Sequence, residues 1–204
     1  MARLSLRDRR EPGPTTVETV EIQADDRWMA DLLPRPGGHG TPRTARRPAR
    51  LDAPTSAAPV SVAPLRVRVL AARPRDHVLD VFARRTGTWW PVEGQCAAPE
   101  RVVDVRLAPW VGGQVAEIWD DGSERPFATV LRWRPPCEIG FAWRVRPGAE
   151  LTDVRVRFTE ASWVSTWVTV EQTGWADLGA DGPVLRAEYR ERWADVLGAL
   201  LWVV

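Results

Sequence analysis

The chain of 204 residues contains no lysine and no asparagine, and all 28 of its basic residues are arginine. So complete a replacement reads as a GC-rich coding bias, and arginine-rich phrases carry no functional weight by themselves. Histidine is reduced to His39 and His77, far apart in the sequence. That excludes a histidine metal cluster and a Ser-His-Asp triad, and leaves His77 as a surface residue of a helix. Cysteine is equally scarce: Cys96 and Cys137 stand in unrelated contexts with no CxxC spacing, and no histidine lies in sequence reach of Cys96 to act as its base. Both read as inert thiols of a reduced, cytoplasmic protein. No apolar run approaches the ~18 to 20 residues that span a bilayer. The opening "MARLSLRDRR" lacks the apolar core of a secretory signal. A net charge of +1 gives no global field for nucleic acid or an anionic membrane, so neither is an expected partner. "GGHG" at 37–40 and "GG" at 112–113 lack the strand, helix and spacing of a phosphate cradle, and no cofactor is expected.

What is present is a globular composition, 44% hydrophobic and 27% charged, distributed unevenly. Residues 1–63 hold eight of the eighteen prolines and no sustained periodicity. Such a segment buries too little apolar surface to offset a backbone ordering cost of ~1 to 2 kcal/mol per residue. It reads as a disordered leader or as translated sequence upstream of the true start, the second being preferred. From Pro64 the pattern changes, and residues 64–204 are expected to form the folded domain.

"LRVRVL" alternates Leu65, Val67 and Val69 against Arg66 and Arg68, the period of a strand with one wet face. A helix follows, with Pro74 in its first turn, Val78, Leu79 and Phe82 as an apolar stripe, and Gly87 as its stop. Six strand-like runs come next, "RVVDVRL", "QVAEIW", "FATVLRW", "EIGFAWRV", "DVRVRF" and "VSTWVTVEQ", with turn signals "DDGSE" and "RPG" between hairpins. Residues 183–204 close the chain as a helix carrying Leu185, Tyr189, Trp193, Val196, Leu197, Leu200 and Val204 at helical spacing. The order strand, helix, antiparallel strands, long helix predicts an α+β fold whose sheet wraps around the last helix.

Five phrases, "VFARRTGTWWP", "GGQVAEIWDDGSE", "VLRWRPPCEIGFAWR", "VRVRFT" and "VTVEQTGWADLG...YRERWADVLG", occur in order over residues 65–204. Together they resemble the activator of heat-shock protein 90 ATPase homologue-like family of the SRPBCC, or START-like, superfamily. The resemblance implies a helix-grip fold: a curved antiparallel sheet gripping the C-terminal helix around an apolar cavity. Two departures stand out. "EASWVST" puts Trp163 at an expected exposed tip, and Trp167 replaces an outward polar residue. Both indoles are candidates for a surface contact.

Phe82, Trp89, Trp90, Trp119, Trp133, Phe141, Trp143 and Trp193 are expected on or near the inner face, each ring able to bury ~150 to 250 Å². Any one of them is explained by core packing; as a set they are candidates for the wall of a ligand cavity. Trp89 and Trp90 follow the first helix, where Pro91 pushes Trp90 out of helical geometry. One of the two is expected in the core and the other at the cavity lip, which being which left open. Glu117 alternates with Val115 and Trp119. It either faces the indoles, as a carboxylate in an apolar surround suited to general acid or base work, or is solvated or paired with an arginine. Tyr189 and Thr129 are weaker candidates for orienting a ligand.

The sequence thus predicts a binder of an apolar or aromatic small molecule, with no metal. The START-like resemblance implies an alternative, a polyketide cyclase or aromatase-like enzyme using the same cavity, with Glu117 its one candidate catalytic group. A co-chaperone-like or stress-related interaction module is another, working as a homodimer or with a protein partner through Trp163, Trp167 and the terminal "LLWVV".

Overall fold

The computed structural model describes residues 62–204. The reading of a leader therefore falls, apart from Val62 and Ala63, outside the described residues. Those two precede the boundary read from sequence, yet Val62 packs against the core and the Ala63 carbonyl accepts the Arg186 Nε–H at 2.7 Å.

Strand β1 (Leu65–Ala71) leads to helix α1 (Arg75–Arg84) and a short helix α2 (Thr86–Trp89). Six further strands follow: β2 (Val102–Leu107), β3 (Gln114–Trp119), β4 (Glu124–Arg134), β5 (Glu138–Arg144), β6 (Leu151–Ser162) and β7 (Ser165–Thr173). Helix α3 (Gly182–Leu201) completes the described chain. The sheet runs β1-β7-β6-β5-β4-β3-β2 and is antiparallel throughout. Strands β2 to β7 are a meander, and β1 returns to the edge beside β7. This curled half-barrel closes on α3, the helix-grip arrangement.

Period-two patterning explains why one face is dry. On β6, Thr152, Val154, Val156 and Phe158 are buried; on β7, Thr166, Val168, Val170 and Gln172 are buried. The register sets Phe158 opposite Val168, Val156 opposite Val170 and Val154 opposite Gln172, so the two inner rows meet across the ladder. The intervening residues form a charged outer row in which Glu171 pairs with Arg66 at 3.3 Å and Arg157 at 3.7 Å, and Glu138 with Arg157 at 3.3 Å. Exposed pairs of this kind contribute ~0 to 1 kcal/mol each. Their main effect is on register, since a one-residue slip would turn this row into the core.

Helix α3 presents Tyr189, Trp193, Val196, Leu197 and Leu200, all buried, as one stripe to the sheet. It ends at Leu201, three residues short of the expected end. Gly182 has ordinary helical dihedrals, so its role is space: a Cβ there would lie 2.1 Å from the Trp175 carbonyl oxygen.

Gly87 is not a helix stop. It sits inside α2, where a Cβ would come within 1.9 Å of Asp104 Oδ1 and 3.2 Å of the Val105 carbonyl oxygen. The glycine lets α2 lie directly on β2.

Candidate ligand cavity

Between the sheet and the middle of α3, a cavity of about 440 Å³ opens to solvent. Its walls come from β3, β4, the end of β5 with the following turn, α3, and the loop after α2. Of the ten predicted site residues, Trp90, Glu117, Trp119, Trp143, Tyr189 and Trp193 line it.

Phe82, Trp89 and Phe141 stand one layer deeper, where with Trp90, Trp143 and Trp193 they enclose only a narrow gap. Trp89 is the core member of the adjacent pair. It is buried at the end of α2, its Nε1–H donates to the Val81 carbonyl at 3.0 Å, and its ring lies 5.2 Å from Phe82. Trp90 is the lip: the residue before Pro91, it turns extended (φ −62°, ψ 122°) and sets its half-buried ring 5.6 Å from Phe127 and 6.1 Å from Trp143. Its Nε1 is buried and has no hydrogen-bond partner.

Trp133 and Thr129 are not cavity residues. Trp133 packs on the core opposite Ile139, but it lies six residues along β4 from Phe127, ~20 Å at the rise of a strand. Thr129 lies between the buried Ala128 and Val130 and so faces outward.

Glu117 faces inward and is 7% exposed, with its Oε2 accepting the Trp119 Nε1–H at 3.0 Å. Its cross-strand neighbour is Arg125, yet no ion pair joins them; the Arg125 guanidinium lies over the Trp119 ring, 4.7 Å from its centroid. The Cys96 thiol sits against Glu117 and Trp90. Burial first, and the Glu117 charge second, push it up to about 12, so it stays protonated beside the carboxylate. A thiol in that state is a poor nucleophile.

Tyr189 donates its hydroxyl to the Val145 carbonyl at 2.9 Å, and burial raises its ionisation above the usual phenol range. The phenol oxygen retains its capacity to accept. Trp193, 2% exposed, packs at a tilt of 52° against Trp143, 5.0 Å between centroids, and donates Nε1–H to Gln172 Oε1 at 2.7 Å. Gln172 Nε2 in turn donates to Thr152 Oγ1 at 2.8 Å, whose hydroxyl donates to the Trp143 carbonyl at 3.1 Å. This buried polar chain ties the Trp193 ring of α3 to strands β7, β6 and β5 of the sheet.

Neither Gln172 nor Thr152 was predicted, and nothing in two ordinary polar residues on separate strands announces such a link. Phe127 was missed for a different reason. The β3–β4 register slips there, with Val115 opposite Ala128 but Ala116 opposite Pro126, so Phe127 is the extra residue of a bulge. Alternation in the sequence cannot show that. Four arginines at the mouth, Arg125, Arg144, Arg146 and Arg192, were also passed over.

The surface indoles divide. Trp163 is 87% exposed at the β6–β7 turn and Trp202, just after α3, is 90% exposed, whereas Trp167 is half-buried with the Arg68 guanidinium 3.6 Å from its centroid. Trp167 is thus capped within the fold. Among the described residues, no helix is long and apolar enough to cross a membrane and no His, Cys, Asp or Glu cluster could hold a metal ion.

No family model and no curated protein matches the chain. Among solved structures it is similar to CalC, a self-sacrificing resistance protein from Micromonospora echinospora, at 21% identity and a TM-score of 0.50, over 68% of this chain and 91% of that one. It is similar also to DynU16, a protein of the dynemicin biosynthetic locus, at 20% identity and a TM-score of 0.50 over 68% of this chain. The match spans less than half of DynU16, 45% of its length. Both are likenesses of fold, and the shared fold is the helix grip.

Proposed function

We propose that this chain binds an apolar, largely aromatic small molecule between the sheet and α3. The observation that carries the reading is a cavity of about 440 Å³ walled by Trp90, Trp119, Phe127, Trp143 and Trp193. Pockets of ~300 to 1,000 Å³, mostly apolar with a few convergent polar groups, are the usual form of a small-molecule site. Apolar contact supplies the affinity, and Glu117, together with the Tyr189 oxygen, orients the ligand by accepting hydrogen bonds from it. On the same reading the chain works in the cytoplasm, as a unit beginning near Pro64, and belongs with the ATPase-activator homologue-like branch that its motifs resemble.

An enzyme of the cyclase or aromatase kind is the second reading, favoured by one observation, the burial of Glu117 in the cavity wall. It would need that carboxylate for turnover, whereas binding needs it only for orientation.

The test is Ala97→Trp, at an exposed loop residue lining the cavity, where a large ring obstructs the mouth without entering the core. Fluorescence titration with the neutral probe N-phenyl-1-naphthylamine should show one saturable site. Ala97→Trp should weaken it at least about tenfold, ~1.4 kcal/mol, with an unchanged melting temperature. A protein that takes up no probe, or whose uptake ignores the substitution, does not use this cavity.

A further inference from the structure

Most arginines away from the cavity are matched by a partner. Arg66 meets Glu171, Arg101 meets Asp120 and Asp121, Arg132 meets Asp153, Arg186 donates to the Ala63 and Pro64 carbonyls, and Arg68 covers Trp167. The cavity mouth is different. Arg146 is held by Asp181, but Arg125, Arg144 and Arg192 form no ion pair among the described residues. Two of the three are steered by rings of the wall: Arg125 over Trp119, and Arg192 over Tyr189 at 5.3 Å from its centroid. A coding bias toward arginine explains the residue type. It does not explain three carboxylate-free guanidiniums around one opening.

The opposite sign lies on the wall, where Glu117 is the acidic residue of the lining. A negative group carried into the cavity would be repelled by that carboxylate, and the same group at the mouth would meet three cations. Guanidinium is also weakly hydrated and presents fixed donor pairs to an acid, which makes such contacts stronger than neutral hydrogen bonds.

Resting on the binding function proposed above, we infer that the ligand is an aromatic acid: a planar apolar body lies in the cavity against Trp90, Phe127 and Trp143, and a carboxylate, sulfonate or comparable anion stays at the mouth on Arg125, Arg144 and Arg192. The arginines select for the acid and set the direction of entry. They are binding residues and have no part in any bond-making step.

The experiment compares two probes with the same ring system: 8-anilinonaphthalene-1-sulfonate, which carries an anion, and N-phenyl-1-naphthylamine, which does not. Both are titrated into the full chain, into Ala97→Trp, and into a triple variant with Arg125→Gln, Arg144→Gln and Arg192→Gln. The expected result is tighter binding of the sulfonate, by about tenfold at low salt, a preference that shrinks as salt is added. The triple variant should lose that preference while binding the neutral probe as before, which also shows that it is folded. Equal affinities for the two probes, or a preference that survives in the triple variant, would overturn the inference while leaving the apolar site in place. Failure of both probes to bind removes the inference together with the cavity function. Sulfonate fluorescence that persists in Ala97→Trp arises elsewhere on the protein and counts against it.

Discussion

Trp193→Ala is expected to destabilise the fold by about 4 kcal/mol, the range for removing a buried large aromatic from a core. The indole is 2% exposed and packs against Trp143 at 5.0 Å between centroids, so its loss removes burial and opens a void between α3 and β5. It also orphans the Gln172 Oε1 that accepts its N–H at 2.7 Å. The void adjoins the existing cavity, and water entering it recovers part of the polar loss, which keeps the estimate from going higher. Urea denaturation monitored by circular dichroism reads the change. A loss below about 1 kcal/mol would mean that Trp193 is a removable lining residue, contrary to its place as the clamp between helix and sheet.

Gln172→Leu is the second large effect, expected at about 2 kcal/mol. The replacement nearly conserves volume, so the cost is that of an unsatisfied donor: the Trp193 N–H is left buried with no acceptor. Thr152 loses the Gln172 donor but keeps its own bond to the Trp143 carbonyl at 3.1 Å, and adds little. A double-mutant cycle isolates the link. Trp193→Phe removes the orphaned N–H, so in the Gln172→Leu background it should cost about 1 kcal/mol less than in the wild type. Strict additivity would show that the glutamine stabilises the fold by packing alone.

These two residues also mark the limit of what the sequence disclosed. The aromatic stripe of α3 was legible because a 3.6-residue period leaves one solution for Tyr189, Trp193, Val196, Leu197 and Leu200. Strands β1 and β6 were legible because arginine and valine alternate in them at period two. Cavity membership was less so, because it depends on where the two patterns meet. Trp133 and Trp143 look alike in sequence, both being indoles on strands. Only the meander, which carries Trp133 to the far end of β4 and Trp143 to the end of β5 beside α3, separates a packed ring from a lining one. The hairpin bulge that turns Phe127 toward the cavity leaves no mark in composition, since any residue can be the extra one. Gly87 misled for a related reason: glycine ends helices by adopting positive φ, but it also permits close approach, and the second use prevailed.

The adjacent indoles show how a short motif settles into two roles. Helix geometry carries Trp89 inward, and the constraint of the following proline turns Trp90 out of the helix toward the cavity. Core and lip are neighbours in the chain because the helix ends between them.

Native mass spectrometry of the protein as purified, followed by denaturation and identification of whatever leaves it, tests the central claim most directly. The account predicts one small molecule per chain, aromatic in its body and acidic at one end, released when the fold is lost. An empty chain that also takes up no apolar probe would contradict it, and would reduce the indoles around the cavity to core packing.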